Sequence, residues 1–227
     1  AASDVYKRQL FLFIIGTIFG SFFGLLVDRI PAGESIIFRR SHCDSCNHIL
    51  SFRDLIPLFS QLSSASLCRY CKNKIPLMNF ILEFSVGLLF CLVWLNYLSL
   101  PQFLMSILSV ILSAFDYRHH SFPFIIWLIF ALSFIILFPS SLIFYSWLVL
   151  ALLTEIFDFK IGSGDFLWFF TASFSISFFD EMKLLQIDCL LGIIYYLMIK
   201  KRDEIAFIPF LTIAYLMLLF GHQILSP

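Results

Sequence analysis

The chain has 227 residues, 60% hydrophobic and only 13% charged, with fifteen Lys and Arg balancing fifteen Asp and Glu. A soluble domain carries about a quarter charged residues, so an ordinary soluble globule is excluded. Zero net charge and the lack of a basic patch interleaved with aromatics exclude a nucleic-acid binder.

Residues 1–9 (AASDVYKRQ) lack an initiator Met and fit poorly with the apolar run that begins at Leu10, so they are read as an artefact or a disordered terminus and set aside. Eight apolar segments come next, at 10–27, 80–99, 102–115, 122–138, 141–157, 166–179, 184–199 and 205–221. No small-residue cleavage site comes after the first, which predicts a retained helix rather than a signal peptide. Segments 102–115, 166–179 and 184–199 fall short of the roughly 20 residues of a full span and are expected to extend into their flanks or to sit where the bilayer is thin. Pro101, Pro123 and Pro139 mark helix starts or breaks. No internal repeat is evident. The expected fold is an all-α polytopic membrane protein of about eight transmembrane helices, with one polar insertion, 28–79, after the first.

Basic residues orient it. Placing 28–79 in the cytoplasm puts Arg29, Arg39, Arg40, Arg53, Arg69, Lys72 and Lys74 inside. Eight spans then bring Arg118, Lys160, Lys200, Lys201 and Arg202 to the same side, leaving Lys183 and the set-aside Lys7 and Arg8 outside. Asp116 and Asp165 both fall at cytoplasmic helix ends.

The insertion holds two C-x-x-C knuckles, Cys43–Cys46 and Cys68–Cys71. Four thiolates from two knuckles can close a tetrahedral shell around Zn²⁺. A reducing cytosol favours metal over disulfides, and a stretch with so little core gains from a metal staple. The expected module is a zinc-ribbon-like unit with a structural site. His42 and His48 flank the first knuckle and read as solvated loop residues. Cys91 and Cys189 lie in apolar segments and receive no role.

Most acidic residues have plain readings. Asp44, Asp54, Asp180, Glu181, Asp203 and Glu204 read as solvated loop residues, and Asp28 reads as a local partner of Arg29. Glu83 opens a span, where a carboxylate favours the helix N-terminus. Glu155 and Asp158 lie near Lys160. Asp188 reads as a buried polar contact in the outer part of a span. Asp116 and Asp165 differ in context. Asp116 ends an apolar segment before Tyr117-Arg118-His119-His120, and Asp165 comes directly after Gly162-Ser163-Gly164 and opens another. Two glycines allow a sharp turn and close approach to a partner. From the residues alone, both aspartates fit either helix capping or paired acid–base chemistry on water.

Taken together, the motifs resemble the type IV prepilin peptidases, also called prepilin leader peptidases, over nearly the whole chain after residue 10. Gly20-Ser21-Phe22 with Arg29-Ile30-Pro31 is similar to that family's first-helix signature. Ser41-His42-Cys43-x-x-Cys46-x-His48 and Cys68-Arg69-Tyr70-Cys71 resemble its zinc module, and Pro76 with Glu83 the start of its second helix. Asp116-x-Arg118 and Gly162-x-Gly164-Asp165 resemble its two aspartate motifs, and Ala206-Phe207-Ile208-Pro209-Phe210-Leu211 its closing segment. The short chain and lightly charged loops look most like the Gram-positive competence or pseudopilin-processing members.

The resemblance implies an aspartic endopeptidase of the bacterial cytoplasmic membrane, with Asp116 and Asp165 catalytic and their individual roles open. Residues 80–227 would form the membrane-embedded peptidase domain. The substrate would be a prepilin or pseudopilin whose short basic leader is cut after a terminal glycine. Glu83, Glu155 and Asp158 read equally as acids that steer that basic leader or as packing residues. Many members also methylate the new N-terminus with S-adenosylmethionine. Gly24 stands where many carry Asn and Leu167 where many carry Lys, and no G-x-G-x-x-G motif is present, so that activity is left open. The alternative is a non-catalytic membrane scaffold whose zinc module binds a partner. A transporter would instead place charges mid-membrane on several helices.

Overall fold

The computed structural model describes residues 2–38, 40–43, 45–157, 162–199 and 206–225. Arg39, Asp44, Asp158, Lys160, Lys200, Lys201, Arg202, Asp203 and Glu204, on which part of the orientation and acidic-residue readings rest, lie outside them. Regular structure among the described residues is helical, apart from two isolated antiparallel bridges. The chain divides into two compact units, Ala1–Asn96 and Tyr97–Pro227.

In the first unit, helix α1 (Ala2–Arg29) pairs with helix α3 (Leu77–Trp94), and a short helix α2 (Phe59–Ser64) lies in the insertion between them. Helix α1 begins well before the expected 10–27 boundary, so residues 2–9 continue it rather than standing apart. Small residues bring the pair together. A Cβ on Gly16 would come 2.7 Å from the Gly87 Cα, and one on Gly20 would come 2.6 Å from the Glu83 Cα. Gly24 faces the Asn79 side chain. As the α1 position advances by four, its α3 neighbour retreats by four, so the helices are antiparallel and both ends of the insertion leave from one end of the pair. In lipid, helix association depends on close packing of this kind. The opposite flank of α1 exposes Phe11, Ile14, Ile18 and Phe22 at helical spacing, a stripe suited to lipid.

Gly20→Leu should therefore separate the helices, because backbone rather than a flexible side chain blocks the new atoms. A loss of about 3 kcal/mol or more is expected, read as a lower unfolding midpoint of the purified protein. Gly221→Ala, where nothing lies within 4 Å, should leave the midpoint unchanged or raise it.

The second unit holds helices α4 (Leu100–His119), α5 (Phe124–Leu137), α6 (Tyr145–Phe157), α7 (Ser163–Ala172), α8 (Phe178–Ile199) and α9 (Ile208–Leu225). Pro101 sits in the first turn of α4 behind a Ser99/Gln102 capping box, and Pro123 caps α5. Helix α9 packs against both α4 and α8, and α7 packs against α6. Two tryptophans fix α7: the Trp127 indole donates to the Leu167 carbonyl at 2.9 Å, and the Trp168 indole donates to the Ser109 hydroxyl at 3.0 Å.

Each of the eight apolar segments contains or overlaps one of α1 and α3 to α9. Three helices, Asp4–Arg29, Leu77–Trp94 and Leu100–His119, are long and apolar enough to cross a membrane; Phe124–Leu137, Leu142–Phe157 and Ile208–Gly221 are apolar but shorter. The 166–179 segment is not one helix. Helix α7 stops at Ala172, and α8 starts at Phe178 rather than 184. Serines cause the break. The Ser173 and Ser175 hydroxyls bond back to the Phe169 and Ala172 carbonyls, while the Ser177 hydroxyl accepts the Asp180 amide and bonds the Asp180 carboxylate.

Candidate active site and metal centre

The first unit brings together all four knuckle cysteines. The Cys43, Cys46, Cys68 and Cys71 sulfurs lie within 4.8 Å of one another, and Cys43 and Cys71 are 3.8 Å apart. A tetrahedral zinc–thiolate shell with bonds of about 2.3 Å needs sulfurs about 3.8 Å apart, so the donor set fits a metal of that kind. All six cysteines are free thiols.

The two knuckles are copies. The Cys43 amide bonds the His48 carbonyl and the Cys68 amide the Asn73 carbonyl; Asn47 N–H bonds Cys43 and Lys72 N–H bonds Cys68. His42 bridges Ile49 just as Leu67 bridges Lys74, and Asn47 and Lys72 both take positive φ. The register offset is constant, from Ser41 and Leu50 to Ser66 and Ile75. This repeat escaped the sequence reading; its signal was the shared S-x-C-x-x-C pattern. The Cys71 and Tyr70 amides hold the Cys68 thiol down to about 7. The Asn73 amide favours the Cys71 thiolate, but burial and the three neighbouring sulfurs outweigh it and push that thiol up to about 11. A cation relieves such crowding. The His48 ring lies against that of Tyr70, with centroids 3.7 Å apart and planes tilted by 34°.

Two acids of this unit differ from their expected roles. Asp54 is not merely solvated: it accepts bonds from Ser51 and Tyr70 and pairs with Arg69 at 3.3 Å. Its slight burial raises the pKa, but those partners hold it below the usual carboxylate value. Glu83 is buried, and its carboxylate accepts the Leu58 amide at 2.7 Å and a bond from Ser21. It ties the insertion to the helix pair, so it is not exposed to steer a leader.

The second unit brings the two aspartates into electrostatic range of one another. Asp116 lies in the last turn of α4, where its carboxylate accepts the Ile208 amide at 3.0 Å and a bond from the Phe207 amide. It thereby caps α9 from another helix. A Ser113–Thr212 hydroxyl contact of 2.6 Å and a Thr212 bond to the Ser109 carbonyl hold α4 against α9 below it. Asp165 lies in the first turn of α7. Gly164 is needed there, since a Cβ would come 2.6 Å from the Phe122 ring. Both aspartates are partly exposed, so water reaches them.

Sequence reasoning missed that Asp188 neighbours Asp165, and it took Glu181 for solvated. Asp188 on α8 is 1% exposed, with no hydrogen-bond partner at either carboxylate oxygen, and lies in electrostatic range of Asp165. Glu181 is fully buried rather than solvated, accepting bonds from Ser173 and Trp147. Glu155 is exposed and accepts the Ser163 hydroxyl.

Residues 14–97 match the family model of the bacterial peptidase A24 N-terminal domain. Over 119 residues the chain is 35% identical to a prepilin leader peptidase/N-methyltransferase of Myxococcus xanthus, covering 50% of this chain and 35% of that protein. The same name belongs to a Klebsiella pneumoniae relative, 32% identical over 136 residues (54% of this chain, 58% of that one), and to a Bacillus subtilis relative, 39% identical over 79 residues (35% and 32%). The chain is similar to the prepilin leader peptidases. The matches span between about a third and three fifths of those relatives' lengths. Asp116 and Asp165 lie beyond the 14–97 match. No solved structure matches.

Proposed function

We propose that the chain is an intramembrane aspartic endopeptidase that removes the basic leader of a prepilin or pseudopilin at the cytoplasmic face of the bacterial inner membrane. Its eight apolar helices would each span or enter the bilayer, and residues 80–227 would form the peptidase domain. The observation that carries the reading is that Asp116 and Asp165 lie in electrostatic range of one another at the ends of apolar helices, both partly exposed, with Asp116 accepting the Ile208 amide.

In this reading the two carboxylates act as a unit and share a proton. The ionised one takes a proton from water, which attacks the scissile carbonyl. The protonated one hydrogen-bonds that carbonyl and then protonates the leaving amine. Either aspartate can begin as base. The knuckle cysteines would hold a structural Zn²⁺, which staples residues 41–75 and takes no part in hydrolysis. Methyl transfer from S-adenosylmethionine is not part of the proposal.

Co-expression with a prepilin substrate tests the reading: the substrate should shorten by its leader only when the chain is present. Full-length substrate at normal enzyme level would favour the scaffold alternative. Orientation has its own test. A cysteine at Ser121, in a background lacking Cys91 and Cys189, should resist an impermeant thiol reagent in intact cells and react after permeabilisation. Equal labelling in intact cells reverses the topology.

A further inference from the structure

The insertion has apolar side chains where a domain surrounded by water would bury them. Phe38 is 90% exposed, Phe52 83% and Ile37 82%, with Phe59 and Leu62 also more than half exposed. Exposed apolar surface of this kind marks an interaction site. Its position is fixed at two points. The Arg29 guanidinium at the end of α1 donates to the Ser35 carbonyl at 2.9 Å and the Ile36 carbonyl at 3.2 Å, immediately before Ile37 and Phe38. Glu83 in the second turn of α3 holds the Leu58 amide, immediately before Phe59. Because α1 and α3 are antiparallel, both anchors lie in the half of the helix pair from which the insertion leaves, Arg29 at its end and Glu83 level with Gly20, about 13 Å further in. Ile37 and Phe38 therefore leave the chain beside the end of α1, where the apolar core of a bilayer meets its headgroups, and Phe59 leaves it beside Glu83, deeper along the pair.

Charge agrees with that position. Residues 30–76 carry six Lys and Arg against three Asp and Glu. Basic residues adjoin the exposed aromatics, as in Phe38-Arg39-Arg40 and Phe52-Arg53, with Arg40 and Arg53 exposed. The Asp54 carboxylate is taken up by Arg69, Ser51 and Tyr70. Apolar groups with adjacent cations are the pattern of a surface that lies in the headgroup layer of an anionic membrane.

We propose that the cysteine module docks onto the bilayer from which α1 and α3 emerge, inserting Phe38 and Phe52 among anionic phospholipids that its arginines and lysines contact. The module is then a lipid-bound platform rather than a domain suspended in water, and its orientation depends on membrane charge. This inference stands on the membrane-spanning reading of α1 and α3 and is independent of the peptidase reaction.

The test uses the full chain with a photoreactive benzoylphenylalanine at position 38 or 52, in vesicles of phosphatidylglycerol and phosphatidylethanolamine or of phosphatidylcholine alone. Retained zinc verifies the fold of each variant. Phospholipid adducts are expected at both positions, about fivefold or more stronger in the anionic vesicles. Adducts confined to protein, whether the same chain or a second copy, would overturn the proposal, as would equal lipid labelling in the two compositions. Hydrogen exchange on the unsubstituted chain gives a second reading: amides of 52–62 should exchange more slowly in anionic vesicles, and equal exchange contradicts docking.

Discussion

Asp116→Asn and Asp165→Asn should each reduce leader cleavage by about a thousandfold or more, with zinc content and membrane insertion unchanged. At position 116 the asparagine oxygen can still accept the Ile208 amide, so the cap that joins α4 to α9 survives. What is lost is the ionisable group. An amide can neither take a proton from water nor deliver one to the leaving amine, so either change disables the pair. The double variant should be scarcely worse than either single one, because residues that act as one unit are not additive. Two controls sharpen the result. Asp180, which bonds Lys183 and Ser177, should tolerate Asn. Asp188→Asn should change cleavage by less than about tenfold: its carboxylate is 1% exposed and cannot reach a catalytic water, although it lies in range of Asp165. Cleavage rates with a prepilin-type substrate decide all five, and a near-normal rate in either Asp116→Asn or Asp165→Asn rejects the dyad.

The second large effect concerns metal. Cys43→Ser or Cys68→Ser should abolish stoichiometric zinc and open residues 41–75 to protease. These residues have little core of their own: Cys68 and Gln61 are buried, but the neighbouring aromatics are exposed. In zinc-finger peptides, structural zinc supplies about 10 kcal/mol or more of apparent binding energy, so its loss unfolds such units. A strong chelator should act in the same way, and acid should release the metal because the ligands must be deprotonated. Metal analysis with limited proteolysis reads the outcome. An intact module in a metal-free variant would show that the cluster does not depend on metal.

The sequence made the knuckles and the apolar helices legible because each rests on local pattern: C-x-x-C spacing for one, apolar runs for the other. It made Asp116 and Asp165 conspicuous by their position at segment ends. The rest depended on tertiary placement. Nothing local to Asp116 indicates that it caps a helix starting at Ile208, or that the closing Ala206–Leu211 motif supplies its amide donors. Glu83 reads as an ordinary helix-start acid until α1 approaches so closely that only Gly20 fits and Ser21 and Leu58 reach its carboxylate. Glu181 occupies a helix position that looks solvated, and only packing shows it to be buried; Asp188 reads as a buried polar contact, and only packing sets it in range of Asp165. The boundary near 172–178 was misplaced because apolar residues continue through it, while serine hydroxyls bonded to the backbone end one helix and cap the next.

The central claim is that this chain hydrolyses a leader peptide with its aspartate pair. The most direct measurement incubates the purified, zinc-loaded protein in lipid with a synthetic prepilin-type substrate, a basic leader ending in glycine and joined to an apolar helix, and sequences the product N-termini. One cut after the leader-terminal glycine is expected, with no detectable product from the Asp116→Asn protein under the same conditions. Intact substrate with folded wild-type protein, or the same cut made equally by Asp116→Asn, would contradict the claim.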